Sequence, residues 1–239
     1  MSKKMINQNA NYDSELINSI GSSFIFDEKP INRLRNNPTN SKKEIIDKEK
    51  ELAQLTNEIN SIEDCSLKSN SQKLVLGDGN INSSIMLIGE TPGIEEDKSG
   101  KTFMGEIGSL LKKMLIAINI KKENIYSAYA VNFRPPKDRK PTSAEIKRYS
   151  LYLQKHISII KPKIIILMGS TAMEALTGLN SKISIERGKW KEVIIRNINY
   201  NVIITFNPSY LLRVPENKMH SWKDLKKIRK KIDDLDLKI

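Results

Sequence analysis

The chain has 239 residues, of which 38% are hydrophobic, and its formal net charge is +12 at pH 7. This length suits one substantial α/β domain with an extension, and the single cysteine, Cys65, excludes an internal disulfide or an all-cysteine metal site. No apolar run approaches the roughly 20 residues that cross a bilayer, and the N-terminus lacks the apolar segment of a secretory signal. We therefore expect a cytoplasmic protein with no membrane partner.

The positive charge is concentrated in the second part of the chain. Residues 1–70 hold 10 Lys/Arg and 11 Asp/Glu, a net charge of −1, whereas residues 71–239 hold 30 and 17, a net charge of +13. A basic domain suits a polyanionic partner such as nucleic acid. A lysine-rich composition from an AT-rich genome would explain the same excess, so composition alone leaves both interpretations open.

The first part of the chain predicts little regular structure. Residues 1 to about 40 are rich in Asn and Ser, so we expect weak order there apart from a short helix at Asp13–Ile20. Apolar residues at helical spacing predict one amphipathic helix over Lys42–Asp64. The sequence thus predicts a poorly ordered or helical N-terminal extension, residues 1–64, and a main domain, residues 65–239.

From Ser84 onward, short apolar runs alternate with amphipathic helices. The predicted strands are SIMLIGE, IYSAYAVN, KIIILMG and NVIITF. The alternation predicts an α/β fold, a three-layer α/β/α sandwich around a short, mostly parallel four-stranded sheet. Ligands of such folds bind beyond the carboxyl ends of the strands. Three strand ends are therefore candidate site positions: Gly89-Glu90, Val131-Asn132 and Phe206-Asn207.

The segment after the first of these strands is GETPGIEEDKSGKTFMGEIGSLL. Its dense glycines let the backbone approach a ligand closely, and Phe103 could stack on a planar base. The segment lacks the Gly-Lys-Ser/Thr ending of a phosphate-binding loop. Its acidic cluster, Glu95–Asp97, suggests a metal site, but such a cluster is more often a solvated loop or a means of positioning Lys98 and Lys101.

The other two strand ends carry asparagines. The carboxamide of Asn132 matches the hydrogen-bonding edge of a pyrimidine, and the basic loop that follows suits DNA or a solvated surface turn equally well. Asn207 begins NPSYLLR after an apolar strand. On its own that segment is most simply an Asx-type turn, in which the side chain bonds the nearby backbone.

Taken together, in this order and at this spacing, the three segments resemble the uracil-DNA glycosylase superfamily, and family 4 in particular. The signatures of that family read approximately GEAPG-x-x-E-D-x-x-G-x-PF-x-G, N-x-x-K-C-RPP-x-NR-x-P-T and HPSYLLR. The segments KPKIIILMGSTAMEAL, ERGKW and WKDL of this chain are also similar to the family. The resemblance spans Cys65 to Leu225.

The resemblance implies a DNA repair enzyme that flips deoxyuridine out of DNA and hydrolyses its N-glycosidic bond. Its partner would be uracil-containing DNA and its products free uracil and an abasic site; we expect a monomer. By matching motifs, the catalytic residues would be Glu90 and Asn207. The uracil-binding residues would be Gly89, Thr91, Phe103 and Asn132. The DNA-binding residues would be Arg134, Arg139, Ser209, Tyr210 and Arg213.

The chain departs from family 4 at the positions of its iron–sulfur ligands. The family holds a [4Fe–4S] cluster with four cysteines, whereas this chain has Ile62, Cys65, Phe133 and Tyr149 at those positions. One thiolate cannot hold a cubane cluster. We therefore predict that this protein has no cofactor.

The second departure is Asn207, which stands where the family has histidine. An asparagine amide is a neutral donor that can still stabilise a developing oxyanion. Three functions remain open: an active glycosylase, a catalytically weakened or inactive DNA- or uracil-binding member of the same superfamily, and a phosphoryl-transfer enzyme built on the acidic loop. The absence of a phosphate-binding-loop lysine disfavours the third.

Overall fold

The computed structural model of the protein describes residues 38–238, in which helices and strands alternate. The short helix expected at Asp13–Ile20 lies outside these residues, as does nearly all of the segment expected to be weakly ordered. The helices are α1 (Pro38–Asn60), α2 (Ser66–Asn70), α3 (Ile94–Ser99), α4 (Gly105–Ile116), α5 (Ser143–Ile160), α6 (Ser170–Thr177), α7 (Ile183–Glu186), α8 (Pro208–Arg213) and α9 (Lys218–Asp234). The strands are β1 (Gly77–Gly79), β2 (Ile85–Gly89), β3 (Tyr126–Tyr129), β4 (Ile164–Met168), β5 (Trp190–Ile195) and β6 (Ile198–Thr205).

The strands form one sheet in the order β1-β3-β2-β4-β6-β5. The inner strands β3, β2, β4 and β6 are parallel, and the edge strands β1 and β5 are antiparallel to their neighbours. The mixed α/β fold is as predicted, and the four predicted strands are the four parallel ones. The predicted count was too low, because the sheet of the described residues has six strands.

Both missed strands lie at the edges of the sheet. β1 is the tripeptide GDG, which has no apolar side chain to signal a strand. β5 is only partly buried, and it joins β6 through Arg196 and Asn197, whose φ angles of 46° and 66° make a tight hairpin. Such turns favour Asn, but the segment lacks the Asn-Gly pair that is the clearest hairpin signal.

The core forms on both faces of the sheet because alternate strand residues point to opposite sides. On one face, Ile85 and Leu87 of β2 pack with α4 and α9. On the other, Met86 and Ile88 pack with α5 and α6. Helices thus cover both faces of the sheet, and its carboxyl-end edge is left for a site.

A third apolar cluster ties α1 to the main domain. Leu55 and Ile59 of α1 are buried with Phe133 and Tyr149. Earlier in α1, the ammonium of Lys48 donates to the Ile160 carbonyl at 3.2 Å. Residues Ser41–Ile239 accordingly form one compact unit. A functional boundary between residues 64 and 65 stays a prediction.

No helix among residues 38–238 is both long enough and apolar enough to span a membrane.

The packing of α1 predicts different effects for two apolar substitutions in that helix. Leu55 is 0% exposed and Ile46 is 50% exposed. Leu55→Ala should lower the free energy of unfolding by about 2–5 kcal/mol, because it removes buried apolar atoms and leaves a cavity. Ile46→Ala should change it by less than about 0.5 kcal/mol. Urea denaturation of both variants measures the difference, and equal small effects would show that α1 does not belong to the folded core.

Candidate active site

One carboxylate, that of Glu90, joins the ends of three neighbouring parallel strands. Glu90 follows β2, and its Oε1 accepts hydrogen bonds from the Thr171 amide at 3.0 Å and the Ser170 hydroxyl at 3.3 Å, just after β4. Its Oε2 accepts from the Nδ2 of Asn207, just after β6, at 3.2 Å. Thr171 and Ser170 belong to the amino-terminal end of α6, and the dipole of that helix also favours a negative charge on Glu90.

Gly169 makes room for this carboxylate. Its φ is 108°, and a Cβ atom built there would lie 2.3 Å from the Cδ of Glu90. No other residue fits, since both the backbone conformation and the space require glycine. The glycine that ends KIIILMG is therefore part of the site.

The side chain of Asn207 has a fixed orientation. Its Oδ1 accepts from the Ser209 amide at 3.0 Å, which caps the amino-terminal end of α8. Its Nδ2 donates to Glu90 and, at a longer 3.4 Å, to the Met168 carbonyl. The partners settle which amide atom is which, because an amide N–H only donates and an ionised carboxylate only accepts. Asn207 therefore forms the expected Asx-type turn with its oxygen and contacts Glu90 with its nitrogen.

A cavity of about 920 Å³ opens at this edge of the sheet. Its walls come from the ends of β2, β3, β4 and β6 and from the loops that follow them. Among its lining residues are Glu90, Thr91, Phe103, Met104, Tyr129, Arg139, Lys140, Gly169, Ser170, Thr171, Ile183, Phe206, Asn207, Ser209, Tyr210, Leu212 and Arg213.

Two aromatic rings form one wall of the cavity. The rings of Phe103 and Tyr129 lie 5.2 Å apart between centroids, and the Phe103 amide donates to the Tyr129 hydroxyl at 3.0 Å. Burial raises the pKa of Tyr129 well above its usual value, so the phenol stays protonated at neutral pH. A Cβ atom at Gly89 would lie 2.6 Å from the Tyr129 ring, so the ring covers that glycine. Phe103 itself is only 2% exposed.

The acidic cluster shapes the loop that carries Phe103. Glu96 accepts from the amides of Gly93 and Met104 at 3.0 and 2.7 Å, and Asp97 accepts from the amide of Gln72 at 2.8 Å. Both carboxylates are buried. No group of three or more His, Cys, Asp or Glu side chains in the part of the chain that the structure describes could hold a metal ion. Glu96 and Asp97 therefore bind backbone amides, a role that none of the initial interpretations included.

A buried ion pair supports the opposite wall. Arg187 donates to Asp224 at 3.0 Å from Nε and at 2.6 Å from Nη2, and its guanidinium carbon lies 5.4 Å from the ring centroid of Phe206. Thr205, the last residue of β6, donates to Asp224 at 2.9 Å. Burial raises the pKa of Asp224, while the bonds from Thr205 and Arg187 oppose that rise. This pair ties α9 to the residues directly before Asn207.

The structure brings eight of the eleven candidate residues to the cavity. They are Glu90, Thr91, Phe103, Arg139, Asn207, Ser209, Tyr210 and Arg213. Gly89, Asn132 and Arg134 do not line it: Gly89 lies under the Tyr129 ring, and Arg134 pairs with Asp138 through contacts of 2.7 and 2.8 Å.

Asn132 lies away from the cavity. Its Nδ2 donates to the carbonyls of Val75 and Leu76 at 3.0 and 3.4 Å, and its side chain is buried between them. The family signature N-x-x-K-C-RPP can be aligned with this chain by placing Phe133 at the cysteine. The asparagine of the signature then corresponds to Tyr129, and its lysine corresponds to Asn132. The position of Asn132 thus gives no support to a base-reading role.

Sequence reasoning missed Ser170, Thr171 and Tyr129. The first two follow β4, the most apolar of the predicted strands, whose end was not counted as a site position. The rule that ligands bind at the carboxyl ends of parallel strands would have included it. For Tyr129, the spacing of the family signature was the available signal.

The positions of the family's cluster ligands form a small packed region. The sulfur of Cys65 lies 3.3 Å from the Tyr149 hydroxyl, and the Phe133 and Tyr149 rings meet edge to face at 6.3 Å between centroids. Cys65 is the chain's single cysteine, and a [4Fe–4S] cluster takes four thiolates. These residues do not fit the cluster.

Comparisons with known proteins show the family to which the chain belongs. The family model for the uracil DNA glycosylase superfamily matches residues 76–229. The chain belongs to the uracil DNA glycosylase superfamily. A type-4 uracil-DNA glycosylase of Thermotoga maritima is 37% identical over 155 residues, which cover 65% of this chain and 80% of that protein.

Two further relatives of this superfamily member extend the comparison. A type-4 uracil-DNA glycosylase of Archaeoglobus fulgidus is 32% identical over 181 residues, 74% of this chain and 91% of that protein. A DNA polymerase of Bacillus phage SP01 is 31% identical over 160 residues, 66% of this chain but 17% of that protein. The similarity to type-4 enzymes confirms the predicted family.

The basic loop at the rim of the cavity predicts a pH-dependent contribution to stability. Arg139 bonds Glu145 at 2.8 and 2.7 Å, and Glu145 also caps α5 through the Thr142 amide at 2.7 Å. The hydrogen bonds from Arg139, and to a lesser extent those from Thr142, lower the pKa of Glu145 from 4.5 to about 2, although partial burial opposes the shift. Because the folded-state pKa is the lower one, the carboxylate stabilises the fold above pH 4.5, and this stabilisation is lost as the pH falls toward 2.

Glu145→Gln should therefore lower the free energy of unfolding at pH 7 by at most about 1 kcal/mol, since the ion pair is partly exposed. The deficit should shrink in acid, as measured by urea denaturation across that pH range. Glu51→Gln, at an exposed position of α1, is the matched control. A deficit that stays constant down to the acid end would contradict the ion-pair explanation.

Proposed function

We propose that this protein is a uracil-DNA glycosylase of base excision repair, which hydrolyses the N-glycosidic bond of deoxyuridine in DNA. It releases free uracil and leaves an abasic site. The observation that carries the proposal is the hydrogen bond between Glu90 and Asn207 at the wall of a cavity large enough for a base. The relatives named type-4 uracil-DNA glycosylases support the reaction class.

The substrate base enters the cavity by leaving the DNA stack. An enzyme cannot reach the glycosidic bond inside a duplex, and flipping costs least for a weakly paired base. Phe103 and Tyr129 then supply an aromatic wall for the base. Because Phe103 is nearly covered in the free protein, stacking on its face requires a small opening of the loop that carries it.

In the proposed reaction, Glu90 orients and activates the water. An ionised carboxylate accepts a proton from the water as the water oxygen bonds C1′ of the sugar. The C1′–N1 bond breaks at the same time, and its electron pair goes to the departing uracil, whose negative charge spreads to O2. Hydrogen bonds from Ser170, Thr171 and Asn207 hold the carboxylate in place, so it needs little reorganisation.

Asn207 supplies a neutral donor to the leaving base. Its Nδ2 carries two hydrogens, one directed to Glu90 and one to the Met168 carbonyl. We propose that uracil O2 replaces the longer contact, to Met168, while the Glu90 contact stays. Amide donors act in this way in other oxyanion sites. Unlike a histidine, the amide does not titrate, so its contribution does not depend on pH.

The remaining roles at the cavity rim follow from position. Arg139 and Arg213 supply positive charge to DNA phosphates, and Ser209 and Tyr210 approach the strand beside the flipped nucleotide. Thr91 packs against the base or holds the water. Arg134 lies outside the cavity wall, so we propose that it contributes to the wider positive field. The protein acts on uracil-containing DNA as a monomer.

We also propose that the enzyme works without an iron–sulfur cluster. The Cys65–Tyr149 hydrogen bond and the edge-to-face contact of Phe133 with Tyr149 supply the packing at that place. Purified protein should contain no stoichiometric iron or acid-labile sulfide, and removal of metals with a chelator should leave its unfolding temperature unchanged. Stoichiometric iron would contradict this.

A strand-cleavage assay tests the proposed reaction. Single-stranded and G·U duplex DNA are incubated with the protein, and abasic sites are then cleaved with alkali. Asn207→Ala should lower the single-turnover rate by about 100- to 1000-fold, the effect of losing one oxyanion donor. Asn199→Ala, an exposed position at the far end of β6, is the matched control and should keep the rate.

The same assay separates the proposed enzyme from a non-catalytic relative. A wild-type protein that binds DNA in a salt-dependent manner but releases no uracil would sink the proposal. Recovery of cleavage with Asn207→His would then point to a decayed site instead of a different function.

A further inference from the structure

Helix α9 presents a basic face that the reaction does not use. We propose that this face is a binding track for a DNA strand, and that it continues from the cavity mouth along the outside of the protein. The track consists of Lys223, Lys226 and Lys230 with Trp222 and Met219. The inference takes its DNA substrate from the proposed function and names the part of that DNA which lies beyond the flipped nucleotide.

The track residues share one side of the helix. After Met219, the other four follow at intervals of three, four, seven and eleven residues: Trp222, Lys223, Lys226 and Lys230. This spacing places all five on one helical face. The opposite face, with Leu225, Ile228 and Ile232, is buried against the sheet. At about 1.5 Å per residue, Met219 to Lys230 spans roughly 17 Å, which is long enough for the three lysines to contact separate phosphates of one strand.

The first turn of α9 lies beside the cavity wall. Asn217, directly before the helix, donates to the Tyr210 hydroxyl at 3.0 Å. Arg187, which lies over Phe206, also donates to the His220 carbonyl. Tyr210 and Phe206 both line the cavity. A strand whose base enters the cavity is therefore delivered to the start of the track.

Within α9, acidic residues scarcely oppose the charge of the track. Between Lys218 and Lys230 the only acidic residue is Asp224, which is 1% exposed and paired with Arg187. Asp233, beyond the track, pairs with Arg229. The exposed lysines therefore project a positive field to solvent, and phosphate is the matching partner.

Trp222 distinguishes this face from an ordinary solvated helix. Its side chain is 43% exposed beside Met219, which is 60% exposed, and the Lys226 ammonium lies 6.0 Å from the centroid of the Trp222 ring. An exposed aromatic among lysines suits single-stranded nucleic acid, since cations bind the phosphates and the ring stacks on an unpaired base. A membrane-surface helix would need a broad exposed apolar face. The apolar face of α9 is buried.

The test measures binding to undamaged DNA, so it does not depend on turnover. A fluorescently labelled single-stranded oligonucleotide without uracil is titrated with the full chain at several salt concentrations. The track variant is Lys223→Ala, Lys226→Ala and Lys230→Ala together. The matched control replaces Lys121, Lys161 and Lys163 with alanine. These exposed lysines precede β3 and β4, at the end of the sheet opposite to the cavity. Circular dichroism checks that both variants are folded.

The slope of log K against log salt should become less steep by about 2 in the track variant, since three phosphate contacts are lost from a single strand. The control variant should keep the wild-type slope. Trp222→Ala should weaken single-strand binding by about fivefold or more without changing the slope, because it removes stacking and no charge. Duplex DNA should lose less affinity from that substitution.

A track variant with the wild-type slope would overturn the inference, as would an equal loss in the control. Loss of binding to phosphatidylserine vesicles with the DNA slope unchanged would assign the face to a membrane surface instead. If the wild-type protein excises uracil but the track variant keeps the wild-type slope, the track is refuted and the proposed reaction stands. If the slope changes but the wild-type protein excises no uracil, the proposed reaction is refuted and the track stands.

Discussion

The site depends on one carboxylate, that of Glu90, which hydrogen bonds hold in place. It follows β2, and it accepts hydrogen bonds from residues that follow β4 and β6. Three neighbouring strand ends are thereby fixed to one another at the point where chemistry is proposed. The sheet supplies the positions, the glycine at 169 supplies the space, and the amino-terminal end of α6 supplies the favourable dipole. Any substitution that moves one strand end would displace the carboxylate.

Asn207 holds two parts of the site in position. The same amide caps α8 with its oxygen and holds Glu90 with its nitrogen, so the short α8 helix and the carboxylate are oriented by one side chain. Asparagine suits both tasks because it carries an acceptor and two donors at fixed separation. In the proposed reaction, a neutral amide donor in place of an imidazole would keep a hydrogen bond to the leaving base. It would give up the option of a positive charge there.

Sequence reasoning reached most of the frame and part of the site. Long apolar runs such as KIIILMG predict buried parallel strands, and the strand-end rule located the cavity. The two edge strands were not predicted, because GDG has no apolar side chain and because β5 is only partly buried. Asn132 illustrates a further limit: a polar side chain after a strand can bond the backbone of Val75 and Leu76 as readily as a ligand. Which of these occurs depends on packing between distant segments, which spacing along the chain does not encode.

The central claim is that Glu90 and Asn207 act as one catalytic unit. A double-mutant cycle in single-turnover uracil release, with Glu90→Gln, Asn207→Ala and the two combined, measures their coupling directly. Residues that share a hydrogen bond and a reaction step are strongly non-additive. The account predicts that the combined variant loses little more rate than the more impaired single variant. Losses that multiply would show that the two side chains act independently, and would contradict the account.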